Sequence, residues 1–190
     1  MSTVFIGGSR RLSRLSDDVR IRLDNMIRNG LAVLIGDANG ADKAVQQYLA
    51  SRGYRNVTVY YIEGRCRNNL GGWVTKPIGV DRARKDFAYY AAKDGAMAER
   101  ASCGFMIWDG RSRGTLNNIA NLLRSEKKVV VYFDPERSSH TLRSHEGLKA
   151  LLDKCLEPDR RRFARDLATG NVGDESAHRG LFASRRGGMG

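Results

Sequence analysis

Residues 3–10 read Thr3-Val4-Phe5-Ile6-Gly7-Gly8-Ser9-Arg10: a short apolar run that stops at two glycines and a serine, as a buried strand ending in a tight turn does. The pattern on its C-terminal side decides the fold. Ser16 stands as an N-cap before Asp17 and Asp18, and Val19, Leu23, Met26 and Ile27 then recur at helical spacing until Gly30. Leu31 to Ile35 make a second apolar run, Gly36-Asp37-Ala38-Asn39-Gly40 a second glycine-rich turn, and Ala44, Val45, Tyr48 and Leu49 a second helical face ending near Gly53. Val57 to Ile62 are β-branched and aromatic, which predicts a third strand.

The alternation continues after a loop, Arg65 to Asp81, whose length is typical of a lid. A helix is predicted from Arg82 to about Ala92, restarting near Lys93-Asp94-Gly95. A fourth strand is read over Cys103 to Trp108, a polar turn over Asp109 to Gly114, a helix over Thr115 to Glu126 and a fifth strand over Val129 to Phe133. Strand and helix in strict alternation predict an α/β fold: a doubly wound parallel sheet of about five strands with helices on both faces. Residues 1–134 form that domain. Residues 135–169 are expected to be a C-terminal helical extension, helical from 141 with a break at Pro158, and 170–190, ending in Arg185-Arg186-Gly187-Gly188, to be a disordered basic, glycine-rich tail.

The 190 residues carry 33 Lys and Arg against 21 Asp and Glu, a net charge of +12, which points to anionic partners. Residues 1–134 hold 22 cations and 13 acids, so most of the excess belongs to the folded domain rather than the tail. No apolar stretch approaches the roughly 18 to 20 residues that span a bilayer, and no basic-then-apolar leader opens the chain, so a cytoplasmic protein without membrane contact is expected. Cys66, Cys103 and Cys155 are too few and too scattered for a disulfide framework or a zinc site, and His140, His145 and His178 have no partners at metal-ligand spacing. Neither a metal nor a cofactor is expected.

In a parallel sheet all loops that follow strands share one edge. Three glycine-rich turns lie there, each before a helix whose positive end suits phosphate. Each turn alone also fits a plain tight turn or N-cap. Three together, carrying Ser9, Arg10, Ser112, Arg113 and Thr115, point to a ligand pocket. The Gly-x-Gly-x-x-Gly and Gly-x-x-x-x-Gly-Lys-Ser/Thr fingerprints and the Gly-x-Ser-x-Gly elbow are all missing, which disfavours ordinary NAD binding, P-loop hydrolysis and a serine triad.

Gly7-Gly8-Ser9-Arg10, Ile35-Gly36-Asp37-Ala38-Asn39-Gly40-Ala41-Asp42, Lys93-Asp94-x-x-Met97 and Trp108-Asp109-Gly110-Arg111-Ser112-Arg113-Gly114-Thr115, in this order, resemble the SLOG superfamily over residues 3–134, particularly its small YspA-like branch. That superfamily also includes the DprA/Smf DNA-processing proteins and the LOG phosphoribohydrolases. The resemblance implies a Rossmann-like sheet that binds a nucleotide or nucleotide-derived ligand, such as a nucleotide-sugar, through the loops after strands one, two and four. It implies that Gly8, Ser9, Gly36, Gly40, Asp42, Ser112, Gly114 and Thr115 line the pocket, with Lys93 or Asp94 where relatives often carry Arg-Asn. Arg10, Asp37 and Arg113 complete the expected ligand set. Asn118 stands where LOG-type enzymes carry a catalytic Glu, and a neutral amide cannot serve as a carboxylate base. Asp109 or Asp94 is then the candidate carboxylate of a nucleotide N-glycosidase. A sensor or recognition domain, with Trp73 or Trp108 stacking on the base, is the leading expectation, and a DprA-like nucleic-acid binder a third. Relatives of this fold commonly dimerise, so a homodimer is among the expected partners.

Overall fold

The computed structural model describes residues 2–80 and 87–168. Its strands are β1 (Thr3–Gly8), β2 (Ala32–Gly36), β3 (Val57–Ile62), β4 (Val74–Ile78), β5 (Cys103–Trp108), β6 (Val129–Phe133) and β7 (Ser138–Leu142). The helices are α1 (Asp17–Arg28), α2 (Ala41–Ser51), α3 (Phe87–Arg100), α4 (Arg113–Arg124), α5 (His145–Leu152) and α6 (Glu157–Ala168). They form one seven-stranded sheet in the order β4-β3-β2-β1-β5-β6-β7. All pairings are parallel except that of β7 with β6. This is the Rossmann-like doubly wound α/β architecture. The helix expected from Arg82 is described from Phe87 on, and the expected tail from 170 lies outside the described residues.

Two apolar layers hold the sheet because the side chains of each strand alternate between its faces. Val4, Ile6, Val33, Ile35, Val59 and Ile107 pack with Val19, Leu23, Val45 and Leu49 of α1 and α2. Phe5, Leu34, Met106 and Trp108 pack on the other side with Met97, Leu116, Ile119 and Phe163 of α3, α4 and α6.

The sheet has seven strands rather than five. The loop expected to form a lid holds β4, which pairs in parallel with β3 and sets Pro77 opposite Tyr61. Proline lacks the ladder N–H and is tolerated at a sheet edge, where β4 lies. The segment before α5 holds β7, an opposite edge of Ser138, Ser139, His140 and Thr141 that turns back after the 3-10 turn Asp134–Glu136. The helical extension breaks just before Pro158: α5 ends at Leu152 and α6 starts at Glu157, with Pro158 in its first turn, a position that needs no N–H partner. Among the described residues no helix is long and apolar enough to cross a membrane.

Candidate functional site

The connections leaving β1 and β5, neighbours at the centre of the sheet, run to opposite sides, and ligands bind doubly wound sheets at such a divergence. A cleft of about 640 Å³ opens here. Ser9 knots its floor. Fully buried, Ser9 donates its N–H to the Ile107 carbonyl (2.9 Å), and its carbonyl accepts from Leu12 and Ala41 N–H (3.1 and 3.2 Å). Its hydroxyl donates to Asp109 Oδ1 (2.8 Å) and accepts from Asp109 N–H (3.1 Å). The loops after β1 and β5 and the start of α2 are therefore tied through one residue beneath the cleft surface.

The turn after β5 is built on Asp109. Its Oδ1 also accepts the N–H groups of Arg111 (2.9 Å) and Ser112 (2.8 Å), so this oxygen has three donors. Ser112 caps α4, its Oγ accepting from Thr115 N–H (3.3 Å) and Thr115 Oγ1 (3.0 Å). The Trp108 indole donates to the Ser112 carbonyl (3.0 Å). The first turn of α4 is thereby pinned at the cleft wall, where Ser112, Arg113, Gly114 and Thr115 line it with Arg10 and Arg11.

The turn after β2 does different work. Asp37 is buried and takes a two-pronged contact from Arg67, Nε to Oδ2 (2.9 Å) and Nη2 to Oδ1 (2.7 Å), plus the Arg67 N–H (3.2 Å). Burial alone would push this carboxyl up; the Arg67 hydrogen bonds and charge outweigh it and hold it below its ordinary value. Asn68 donates to the Asp37 carbonyl (2.8 Å), so the start of the β3–β4 connection is anchored on this turn. Gly40 begins α2 at φ +82°, in the left-handed region, and a side chain there would run into the Arg10 backbone.

Asp42 of α2, Lys93 and Asp94 of α3 and Asn118 of α4 converge deeper in the cleft. Lys93 is 5% exposed and donates to Asp94 Oδ1 (2.7 Å). Asp42 is 6% exposed and accepts the Ala38 N–H. With its amide oriented to satisfy both neighbours, Asn118 donates to Asp94 Oδ2 (3.3 Å) and the Gly114 carbonyl (3.2 Å). Gly36 makes room for this group: a Cβ there would lie 2.5 Å from Asp42 Oδ2 and 2.7 Å from Lys93 Nζ. Burial pushes the Asp42 carboxyl up to about 7 against the pull of Lys93, and the charge of Asp94 adds to the rise. Burial disfavours the Lys93 cation, but Asp94 and Asp42 outweigh it and raise its pKa.

Of the residues expected at the site, Gly8, Arg10, Asp42, Lys93, Asp94, Asp109, Ser112, Arg113, Gly114, Thr115 and Asn118 line the cleft. Ser9, Gly36, Asp37 and Gly40 instead support it from behind. Neither tryptophan stacks in it. Trp108 is fully buried, 5.7 Å from the rings of both Phe133 and Phe163, and Trp73 is buried with its indole donating to the Tyr54 carbonyl (2.8 Å).

The sequence pattern does not reveal one wall. Asp159 and Arg162 of α6 reach the cleft, Arg162 donating to the Arg111 carbonyl (2.7 Å), while Arg113 pairs with Asp166 (3.2 Å). The only local signal is Phe163 and Leu167 at helical spacing among charges, which marks an apolar face without saying where it docks. Among the described residues no three His, Cys, Asp or Glu side chains converge as metal ligands. No protein-family model and no curated protein matches this chain.

Proposed function

We propose that the cleft binds a nucleotide or nucleotide-derived ligand, with phosphate toward the first turn of α4, and that the chain acts as a sensor or recognition domain. One observation carries this reading. At the divergence of β1 and β5 lies a cleft of ligand size whose wall combines a helix N-terminus, Ser112 to Thr115, with the guanidinium side chains of Arg10, Arg11 and Arg113. Positive helix end and cations act together on a phosphate. The motif order that resembles the SLOG superfamily supports the same reading.

A thermal-shift screen against nucleoside mono-, di- and triphosphates tests it. A ligand at 100 times its dissociation constant adds about 2.7 kcal/mol, worth roughly 5–10 °C in a chain of this size. At least one nucleotide is expected to give such a shift, and Arg113→Ala to reduce it. A flat response across the panel would sink the reading.

A second reading, hydrolysis at the N-glycosidic bond, is favoured by the placement of Asp94. Its carboxylate lines the cleft beside the buried Lys93, which donates to Oδ1, while Asn118 donates to Oδ2; Asp109, the other candidate, has its Oδ1 tied to the turn after β5. Chromatography of the same incubations is expected to show free base from wild type and none from Asp94→Asn. Equal base from both would remove Asp94 from the chemistry, and no base from either would leave binding alone.

A further inference from the structure

The wall that α6 supplies is held to the cleft by charge. Asp159, Arg162, Phe163 and Asp166 recur at i, i+3, i+4 and i+7 and so share one face of the helix. The two carboxylates of that face meet the guanidinium groups on either side of the Ser112 cap. Asp159 Oδ2 lies 3.6 Å from Arg111 Nε, and Asp166 Oδ2 lies 3.2 Å from Arg113 Nε. Both aspartate side chains are only 16% exposed, whereas those of Arg111 and Arg113 keep 52% and 36% of their surface open to solvent. The third acid of α6, Glu157, pairs instead with Arg160 and Arg161 of its own helix.

A carboxylate on a guanidinium makes the same kind of charge-assisted contact that a phosphate makes. A phosphate that draws the donors of Arg111 and Arg113 to itself must therefore take them from Asp159 and Asp166. Little else holds the helix. Phe163, against Trp108, is its one buried residue, with Leu167 partly buried beside it, and among the described residues no other element packs closely along its length. Half-exposed ion pairs contribute little and are given up readily, and an element with few buried apolar contacts opens at low cost. A closing lid would bring cations to an anionic ligand. This face lays anions on the phosphate-binding groups, and its own cation, Arg162, is turned to Asp159 (2.8 Å) and the Arg111 carbonyl (2.7 Å).

We propose that α6 is an internal competitor of the ligand: Asp159 and Asp166 stand in for phosphate on Arg111 and Arg113 until a phosphate-bearing ligand takes both cations and frees the helix. The inference rests on the phosphate position of the nucleotide reading, and it gives a sensor its output. Release of α6 uncovers Phe163 and the surface it packs on, so ligand occupancy becomes a change of accessible surface beside the cleft. Coupling of this kind is reciprocal: by whatever factor docked α6 weakens the ligand, the ligand weakens the docking of α6.

Two measurements on the full chain test it, with AMP, ADP, ATP and inorganic pyrophosphate as probes. In calorimetric titrations the double variant Asp159→Asn/Asp166→Asn is expected to bind the tightest probe about fivefold or more tighter than wild type. Glu146→Gln/Asp153→Asn removes the same two charges from exposed positions of α5 and should stay within about twofold of wild type at about 150 mM salt, where distant charges are screened. Amide hydrogen exchange of wild type reads the helix itself and does not depend on the variants. Saturation with the tightest probe should speed exchange across 159–168 by about fivefold or more while slowing it across 112–115. An α6 that slows with the cleft or does not change overturns the inference and leaves the nucleotide reading standing. So does an Asp159→Asn/Asp166→Asn variant that binds no tighter than the α5 control. Both responses with pyrophosphate, and no binding by any nucleotide, would keep the competitor and remove the nucleotide. Absence of binding by all four probes to wild type and variant alike overturns both.

Discussion

Lys93 shows what a single residue contributes here. A lysine removed from water is tolerated only with compensation, and two carboxyls face it, Asp94 in direct contact and Asp42 across Gly36. Burial at Asp42 outweighs the pull of Lys93, and the charge of Asp94 adds to the rise, so Asp42 holds its proton to about pH 7 while Lys93 stays charged. Stability therefore depends on pH at this residue. Asp42 is raised in the folded state, so its contribution is fully present below its ordinary value of 3.8 and is lost as pH rises through about 7. Asp37, lowered by Arg67, works the other way: its contribution is present above 3.8 and lost as pH falls through its folded value. Between about pH 4 and 7 the Asp42 effect therefore favours the acid side, by on the order of a few kcal/mol. Asp42→Asn keeps an acceptor for Ala38 N–H and has no proton to lose. Urea unfolding at pH 5 and pH 8 is expected to show a fall in wild-type stability that this variant lacks; parallel behaviour of the two proteins would refute the assignment.

Legibility in the sequence differs from element to element, for physical reasons. The five central strands are buried on both faces and read as unbroken apolar runs, so the alternation and the doubly wound sheet are available from pattern alone. The edges are not. β4, Val-Thr-Lys-Pro-Ile, carries a charge and a proline that belong on an edge yet argue against a strand, and β7 has only Leu142 as an apolar anchor. The candidate site divides the same way. Ser112 and Thr115 announce a helix start, and α4 begins with them at the cleft. Ser9 and Asp37 announce turns as well, but whether such a side chain faces a ligand or ties down a loop is settled by partners 100 and 30 residues away in the chain. Asp109 shows both fates, lining the cleft while one oxygen holds its own turn. The docking of α6 depends on Phe163 finding the Trp108 ring, a contact across 55 positions that no local pattern encodes.

At the scale of the whole molecule the charge of +12 acquires a location. Many carboxylates are spent on partners within the fold, among them Asp24 on Arg52, Asp37 on Arg67, Asp159 on Arg111 and Arg162, and Glu136 on Lys154. Since 33 cations face 21 acids, cations are left in excess wherever they are densest. One such place is the cleft, whose lining holds six cations, Arg10, Arg11, Lys93, Arg111, Arg113 and Arg162, against four carboxylates, Asp42, Asp94, Asp109 and Asp159, and a net positive concavity draws anions inward. A small phosphate-bearing ligand held by a few groups inside that concavity is screened far less than a polyanion laid along an open surface. The two partners therefore separate on salt. A protein that makes 6 to 10 phosphate contacts with nucleic acid loses about 10³–10⁵ in affinity between 50 and 200 mM salt, because each contact releases counterions from the polymer. The cleft reading predicts that the best mononucleotide ligand loses less than about tenfold over that range, while any attachment of a random-sequence oligonucleotide is gone by about 200 mM. Anisotropy titrations of labelled mononucleotide and oligonucleotide at the two salt concentrations decide it. An oligonucleotide that still binds at the higher salt and displaces the mononucleotide would transfer the cleft's cations, and the role of the molecule, to a nucleic-acid partner.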